Sequence, residues 1–155
     1  MTRYEEFVKT TYQSPTQYDL NTDILTLLPI KNDYLIIVNL ASACGLFDHV
    51  YDLNNINLKN NVHVIGQPSN DFDQEPIKDE NILSFYNEKG IDFCILEKNT
   101  LFDKNKNKLY HLLMENSSQK PKWNFHKYVI DTKEQKLFSF CHLVDLDKIL
   151  ESVGI

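Results

Sequence analysis

One cysteine of this chain lies where a thiol can do chemistry. Cys44 is part of NLASACGLFDHVYDL, residues 39–53, between a turn of small residues and a segment with the apolar spacing of a helix. A free cysteine is more often a buried core residue than a nucleophile. At a helix N-terminus, however, unpaired backbone N–H groups favour the thiolate, which is the reactive form. Cys44 is therefore a candidate nucleophile, and a structural role is the alternative.

The segments around Cys44 predict a parallel βαβ unit. Residues 34–40 (YLIIVNL) form a continuous apolar, β-branched run that is typical of a buried strand. Apolar residues then recur at helical spacing from Leu46 to about Lys59, and residues 62–66 (VHVIG) predict the next strand. Two strands joined through a helix pair in parallel with a right-handed crossover. Functional sites of such sheets lie beyond the carboxyl ends of the strands, which is where Cys44 falls.

The rest of the chain predicts further elements of a single domain over residues 1–155. Residues 67–77 are irregular, with two prolines as breakers, and Asp79 is expected to cap the helix that follows. The remaining elements are predicted as helices at 79–89, 105–116 and 145–153 and as strands at 91–96, 128–132 and 136–140. This order predicts an α/β protein with a thioredoxin-like fold, in which helices flank a central mixed sheet.

Composition narrows the class of protein. A net charge of -6 argues against a nucleic-acid partner, which demands clustered positive charge. No run approaches the ~18 apolar residues of a membrane span, and the first residues have no apolar core of a secretory signal. Three scattered cysteines form no disulfide framework, and five histidines show no zinc-ligand spacing. These features predict a cytoplasmic protein without a metal site or stable membrane insertion.

Three segments resemble the signature motifs of the glutathione peroxidase family, in the family's order. They are IIVNLASACGLF (residues 36–47), VIGQPSNDFDQEP (residues 64–76) and KWNFHKYVID (residues 122–131), and the resemblance spans roughly residues 34–140. Cys44 occupies the position at which some members carry selenocysteine. The resemblance implies a peroxidase, an oxidoreductase with an antioxidant role in the oxidative stress response.

The resemblance also implies a catalytic set of four residues: Cys44, Gln74, Trp123 and Asn124. A thiolate that attacks a peroxide needs hydrogen-bond donors for itself and for the departing oxygen. The two amides and the indole N–H supply such donors without ionising. Taken alone, a single tryptophan is more often a core residue, and Gln74 and Asn124 are ordinary loop and cap residues. His126 and Lys127, which follow this motif, are expected to form a solvated strand start.

The chain departs from the family's pattern in ways that affect its catalytic cycle. Residues 67–69 are Gln-Pro-Ser where the family usually has Phe-Pro-Cys, and Phe47 replaces a common threonine. Tyr86 stands at the position of the resolving cysteine in members that use thioredoxin. Tyrosine forms no disulfide, and Cys94 and Cys141 are expected to be packing residues rather than resolving thiols.

The resemblance therefore implies an enzyme that reduces hydrogen peroxide and organic or lipid hydroperoxides to water and alcohols through a Cys44 sulfenic acid. Without a resolving cysteine, glutathione or another external thiol is the expected co-substrate, and no further cofactor is implied. Arg3, however, is the only arginine that could hold the carboxylates of glutathione. The alternatives are a thioredoxin-dependent peroxidase, a non-catalytic thiol redox sensor on the same fold, or an unrelated structural domain of thioredoxin-like fold.

The segment from Leu109 to Trp123 bears on assembly. It is short and lacks the longer insertion that resembles an assembly loop in tetrameric relatives. We therefore expect a monomer or a dimer, with a shallow and exposed Cys44 site that accepts bulky hydroperoxides.

Overall fold

The computed structural model describes residues 16–29 and 33–155, and their strands form one mixed sheet. The strands are β1 (Gln17–Asp19), β2 (Tyr34–Leu40), β3 (Val62–Pro68), β4 (Cys94–Ile95), β5 (Lys127–Asp131) and β6 (Lys136–Phe140). The helices are α1 (His49–Ile56), α2 (Asp79–Glu88), α3 (Lys108–Ser117) and α4 (Leu146–Val153), and a 3-10 helix covers Thr22–Leu27. Across the sheet the strand order is β1-β6-β5-β2-β3-β4.

The centre of the sheet confirms the predicted fold. β2 pairs in parallel with β3 from Tyr34 opposite Val62 to Leu40 opposite Pro68, and α1 connects the two strands. On its other edge β2 pairs with β5 in antiparallel fashion, and β5 continues into β6 through a hairpin. This mixed α/β sheet is the thioredoxin-like arrangement that the sequence predicts.

β2 is buried because apolar clusters cover both faces of the sheet. Alternate residues of a strand point to opposite faces. Accordingly, Ile36 and Val38 belong to one core cluster, which also contains Cys44. Leu35 and Ile37 belong to a second cluster, together with residues of α3 and of the 3-10 helix. An apolar run without alternation is what such a central strand requires.

Several predicted boundaries are wrong for local reasons. The helix expected from Leu46 begins at His49, because residues 44–51 are linked by three-residue backbone bonds that tighten its first turn. Asp79 is the first residue of α2 rather than its cap, and Lys78 holds the cap position without a side-chain bond. The predicted strand 91–96 is reduced to Cys94–Ile95, since only this part pairs with β3.

The sequence analysis did not predict β1 or the 3-10 helix. β1 has three residues, too few to show a periodic pattern, and it forms by pairing with β6. Among the described residues, no helix has the length and apolar character needed to cross a membrane.

Candidate functional site

Cys44 lies four residues beyond β2, in the turn that leads into α1. The backbone N–H of Leu46 points at its sulfur, with 3.4 Å between N and Sγ. Such a donor stabilises a thiolate more than a thiol. The residue is 5% exposed and belongs to the core cluster that contains Ile36 and Val38, whereas Ala43 and Gly45 on either side are exposed. The expectation of an exposed Cys44 is therefore wrong, because its side chain packs into the core.

A buried carboxylate holds the loop that precedes Cys44. Glu75 accepts hydrogen bonds from the backbone N–H of Ser42 (3.2 Å) and from the Ser42 hydroxyl. The N–H of Ile77 approaches the same carboxylate at 3.4 Å. Sequence reasoning missed Glu75, because a glutamate next to a proline in an irregular segment gives no sign of burial. Its position directly after Gln74 was the one available signal.

Gln74 is joined to the same loop through its backbone. The N–H of Ala43 donates to the carbonyl oxygen of Gln74 at 2.9 Å. The segment around Gln74 is further ordered by Asn70, whose side-chain oxygen accepts the N–H of Glu75 at 2.9 Å. The second sequence motif thus lies against the turn that bears Cys44.

The third motif docks on the carboxyl end of β2. The side-chain amide of Asn39 donates to the carbonyl oxygen of Trp123 at 3.0 Å. The N–H of Phe125 donates to the carbonyl oxygen of Asn39 at 2.7 Å. The indole of Trp123 also packs against the ring of Phe72 in the second motif, with 5.5 Å between centroids. Trp123 therefore contacts both the strand that leads to Cys44 and the loop that contains Gln74.

Asn124 is the most unusual polar residue of this region. It is 0% exposed, and neither its side-chain oxygen nor its side-chain nitrogen has a hydrogen-bond partner. A buried polar group without a partner costs about 1–3 kcal/mol. Such groups are rare in native proteins and point to a functional requirement when they occur. Asn124 thus has a free donor and a free acceptor inside the protein.

The three motifs meet at one end of the sheet, but the side chains of the four predicted site residues are not directly bonded. In the described part of the chain, Gln74, Trp123 and Asn124 donate no side-chain hydrogen bond to the sulfur of Cys44. The sulfur is instead contacted by the N–H of Leu46. Hydrogen bonds of Ala43 and Asn39 instead link the second and third motifs to the segment that leads to Cys44.

Lys127 and His126 are not the solvated strand start that the sequence predicted. Lys127 is 1% exposed and His126 is 3% exposed, because β5 lies between β2 and β6 in the interior of the sheet. Burial lowers the pKa of Lys127 to about 8 and that of His126 to about 3. Burial also lowers the pKa of His49, the neighbour of Lys127, to about 4.

Tyr86, which stands at the position of the resolving cysteine in the family's pattern, belongs to an aromatic cluster. Tyr86 is fully buried in α2, with its ring 5.2 Å from that of Phe85 and 6.0 Å from that of Phe47. Two of the departures from the family's pattern, Phe47 and Tyr86, therefore pack against each other. All three cysteines are free, and Cys94 packs on the opposite face of the sheet from Cys44. Burial raises the pKa of Cys94.

The structure also bears on a metal site and on a ligand cavity. Within residues 16–29 and 33–155, no three His, Cys, Asp or Glu side chains form a group that could hold a metal ion. A cavity of about 500 Å³ lies between α1 and the start of α4, with His49 and Lys127 in its wall. None of the four predicted site residues lines that cavity.

Comparisons with known proteins show a family and several relatives that this chain resembles. The family model described as Glutathione peroxidase matches residues 12–114, which include Cys44 and Gln74 but end before Trp123. The glutathione peroxidase-like peroxiredoxin GPX3 of Candida albicans is 29% identical over 150 residues, covering 86% of this chain and 84% of the relative. The hydroperoxy fatty acid reductase Gpx2 of Synechocystis is 32% identical over 116 residues, covering 72% and 75%.

A solved structure of another protein is similar to this chain in its fold. The crystal structure of T. cruzi GPX1 matches with a TM-score of 0.58 at 19% identity, covering 90% of this chain and 92% of that one. At this identity the likeness concerns the fold alone.

Proposed function

Because this chain belongs to the glutathione peroxidase family, it is a thiol-dependent peroxidase, and we propose that Cys44 is its peroxidatic residue. The proposed site consists of Cys44, Gln74, Trp123 and Asn124 and lies at the carboxyl end of β2. The hydrogen bonds that join the three motifs at one end of the sheet support the proposal.

In the proposed reaction the Cys44 thiolate attacks the terminal oxygen of a hydroperoxide, ROOH. An S–O bond forms, the O–O bond breaks, and the sulfur is oxidised to a sulfenic acid. The alkoxide takes up a proton and leaves as the alcohol, or as water when R is hydrogen. A thiol then displaces water from the sulfenic acid to form a mixed disulfide, and a second thiol releases reduced Cys44 and a disulfide.

The single observation that carries the proposal is the unpartnered amide of Asn124. Its N–H₂ group can donate to the peroxide oxygen that gains charge, a contribution typical of preorganised sites. The N–H of Leu46 performs the corresponding task for the thiolate. Gln74 and Trp123 are proposed as further donors to the same oxygens.

We propose that the substrates include organic and lipid hydroperoxides as well as hydrogen peroxide. The Synechocystis relative is named a hydroperoxy fatty acid reductase. In this chain Phe72 lies between Trp123 and Phe102, with 6.1 Å between the centroids of the two phenylalanine rings. Phe102 is 45% exposed, so an aromatic surface leads from solvent towards the proposed site. An apolar chain would pack on such a surface.

The proposed reductant is an external thiol, glutathione or a thioredoxin-type protein. The buried Tyr86 cannot resolve a sulfenic acid, and Cys94 lies on the far face of the sheet. Cys141 packs against the same core cluster as Cys44, and we propose that it is a packing residue rather than a resolving thiol. One equivalent of peroxide should therefore leave Cys44 as a sulfenic acid that dimedone labels. Arg3, the one arginine, lies outside the described residues. The wider setting of the proposal is a single-domain, cytoplasmic monomer or dimer acting in the oxidative stress response.

The decisive experiment measures steady-state peroxide consumption with glutathione and, separately, with thioredoxin. Cys44→Ser should abolish turnover, whereas the matched Cys94→Ser variant should retain it. Asn124→Leu, which keeps the branched shape of the side chain but has no donor, should slow sulfenic acid formation. Turnover that survives in Cys44→Ser would overturn the proposal. Sulfenic acid formation without turnover by either reductant would instead identify a redox sensor.

A further inference from the structure

Lys127 is a buried cation at the centre of the molecule. It begins β5, three residues after Asn124, and is 1% exposed. Among the described residues, no carboxylate lies within ion-pair distance of its ammonium group. A charge removed from water without a counter-ion is costly, so its retention calls for hydrogen bonds that compensate for the lost hydration.

Two hydrogen bonds hold the ammonium group of Lys127 in place. Its Nζ donates to the carbonyl oxygen of Phe125 at 2.8 Å. It also lies 3.0 Å from Nδ1 of His49. The pKa of His49 is lowered to about 4, so this imidazole is neutral at working pH and its Nδ1 accepts the bond. The rings of His49 and Phe125 pack edge to face, with 5.5 Å between centroids.

These contacts connect the helix that follows the Cys44 turn with the third motif, which contains Trp123 and Asn124. His49 is the first residue of α1, the helix entered through the Cys44 turn. Phe125 directly follows Asn124 and has a φ of 68°, a left-handed conformation that an aromatic side chain rarely adopts. Such a backbone persists only where surrounding contacts hold it in place. The hydrogen bond from Lys127 holds the carbonyl group of Phe125 in place. It thereby fixes the direction in which the backbone of the third motif runs.

We propose that Lys127 is a positioning residue of the peroxidase, which holds Trp123 and Asn124 in register with the helix behind Cys44. The inference rests on the proposed function of Cys44 and adds a residue outside the four implied by the family motifs. Lys127 touches no reacting atom in this scheme. It acts through Phe125 on one side and through His49 on the other.

The hydrogen bonds that Lys127 forms with Phe125 and His49 should weaken in mildly alkaline solution. The pKa of Lys127 is about 8, so the amine loses its charge as the pH rises through this value. Charge-assisted hydrogen bonds are roughly twice as strong as neutral ones. Other titratable groups near Lys127 are His49 and Asp52 of α1, His126 beside it in the chain, Cys141 and His142 after β6, and Asp145 before α4.

The test uses Lys127→Met, which keeps the length of the side chain and removes its donors. The rate of Cys44 oxidation by hydrogen peroxide should fall by about tenfold or more, because small displacements of catalytic donors have effects of this size. Alkylation of Cys44 by iodoacetamide needs no donor from Trp123 or Asn124 and should change little. Lys148→Met, a change at another lysine of the same cavity wall, is the matched control and should leave both rates unchanged.

A second measurement does not depend on how well Lys127→Met folds. Trp123 is the only tryptophan, so its fluorescence reports the third motif directly. In a Cys44→Ser, Cys141→Ser background, which removes two nearby thiols, its emission should change with a midpoint near pH 8. Lys127→Arg, which keeps its charge across this range, should abolish the transition.

The outcomes separate this inference from the proposed function. Equal losses of peroxide reaction and alkylation in Lys127→Met, or an emission profile that is flat from pH 7 to 9, would overturn the positioning role and leave Cys44 as the nucleophile. Turnover that persists in Cys44→Ser would overturn the proposed function itself. A selective loss of the peroxide reaction together with a Lys127-dependent transition supports the inference.

Discussion

Several residues that shape the proposed site are buried polar groups whose hydrogen-bond partners lie far away in the sequence. Glu75 is the clearest case, since its carboxylate accepts both the N–H and the hydroxyl of Ser42, two residues before Cys44. Its own N–H is bonded to the side chain of Asn70. One side chain therefore fixes the Cys44 turn against the loop that contains Gln74.

Replacing Glu75 should test this link at the scale of a single residue. In Glu75→Leu the partly buried N–H and hydroxyl of Ser42 lose their acceptor, so the free energy of unfolding should fall by about 1–3 kcal/mol. Peroxide turnover should fall as well, because the Cys44 turn is no longer fixed. Glu97→Leu makes the same chemical change at an exposed residue and should alter stability by about 0.5 kcal/mol or less. Urea unfolding of both variants measures the difference, and equal stabilities would contradict the assigned role.

At the scale of secondary structure, the close packing of β2 and β3 depends on one glycine. A methyl group at Gly66 in β3 would lie 2.4 Å from Cδ1 of Leu40 and 2.9 Å from Cε1 of Phe93. Leu40 is the last residue of β2 and leads into the Cys44 turn. The absence of a side chain at Gly66 thus lets a core leucine pack where the strand enters the site.

A pair of alanine substitutions separates the effect of overpacking at Gly66 from the general effect of replacing a glycine. Gly66→Ala should destabilise the protein by about 1–3 kcal/mol, the usual cost of overpacking a core. Gly45→Ala adds the same methyl group next to Cys44, where no atom beyond the two chain neighbours lies within 4 Å, and should cause little loss of stability. Thermal unfolding of the two variants is the measurement. A Gly66→Ala protein as stable as the wild type would show that Leu40 and Phe93 move aside without cost.

At the scale of the whole molecule, burial of titratable groups sets the response to pH. The pKa of His126 is lowered to about 3 by burial and by the nearby charge of Lys127. In the unfolded chain this histidine becomes protonated below about pH 6.5, whereas in the folded protein it stays neutral down to about pH 3. Stability should therefore be lost as the pH falls from about 6.5 towards 3. Burial lowers the pKa of His49 and of His142 as well, and both act in the same direction.

The contribution of His126 is measurable. At pH 5 a group with this shift destabilises the fold by about 2 kcal/mol relative to neutral pH. His126→Phe should therefore show a smaller loss of stability between pH 7 and pH 5 than the wild type. His111→Phe, a change on the half-exposed side of α3, should keep the steep dependence. Denaturant midpoints at several pH values provide the test, and parallel curves for wild type and His126→Phe would contradict it.

The amino-acid sequence by itself determined two strands of the sheet with their bounds and the identity of the motif residues. Tyr34–Leu40 and Lys136–Phe140 were predicted with the bounds that the structure has, since a run of apolar residues reflects burial on a strand. Local signals of this kind need no knowledge of distant partners. The four site residues likewise follow from motifs that are continuous in the chain, and their catalytic roles stay predictions.

The tertiary structure alone decided which polar residues are buried and what they join. Asn39 bonds to Trp123 across 84 residues of sequence, and Lys127 bonds to His49 across 78. A lysine after a tryptophan motif and a glutamate before a proline look like surface residues, because sequence patterns report hydrophobicity and not the partner that compensates for burial. The exposure of Cys44 was mispredicted for the same reason. Whether a polar group is buried depends on contacts between distant segments, and these exist only once the chain has folded.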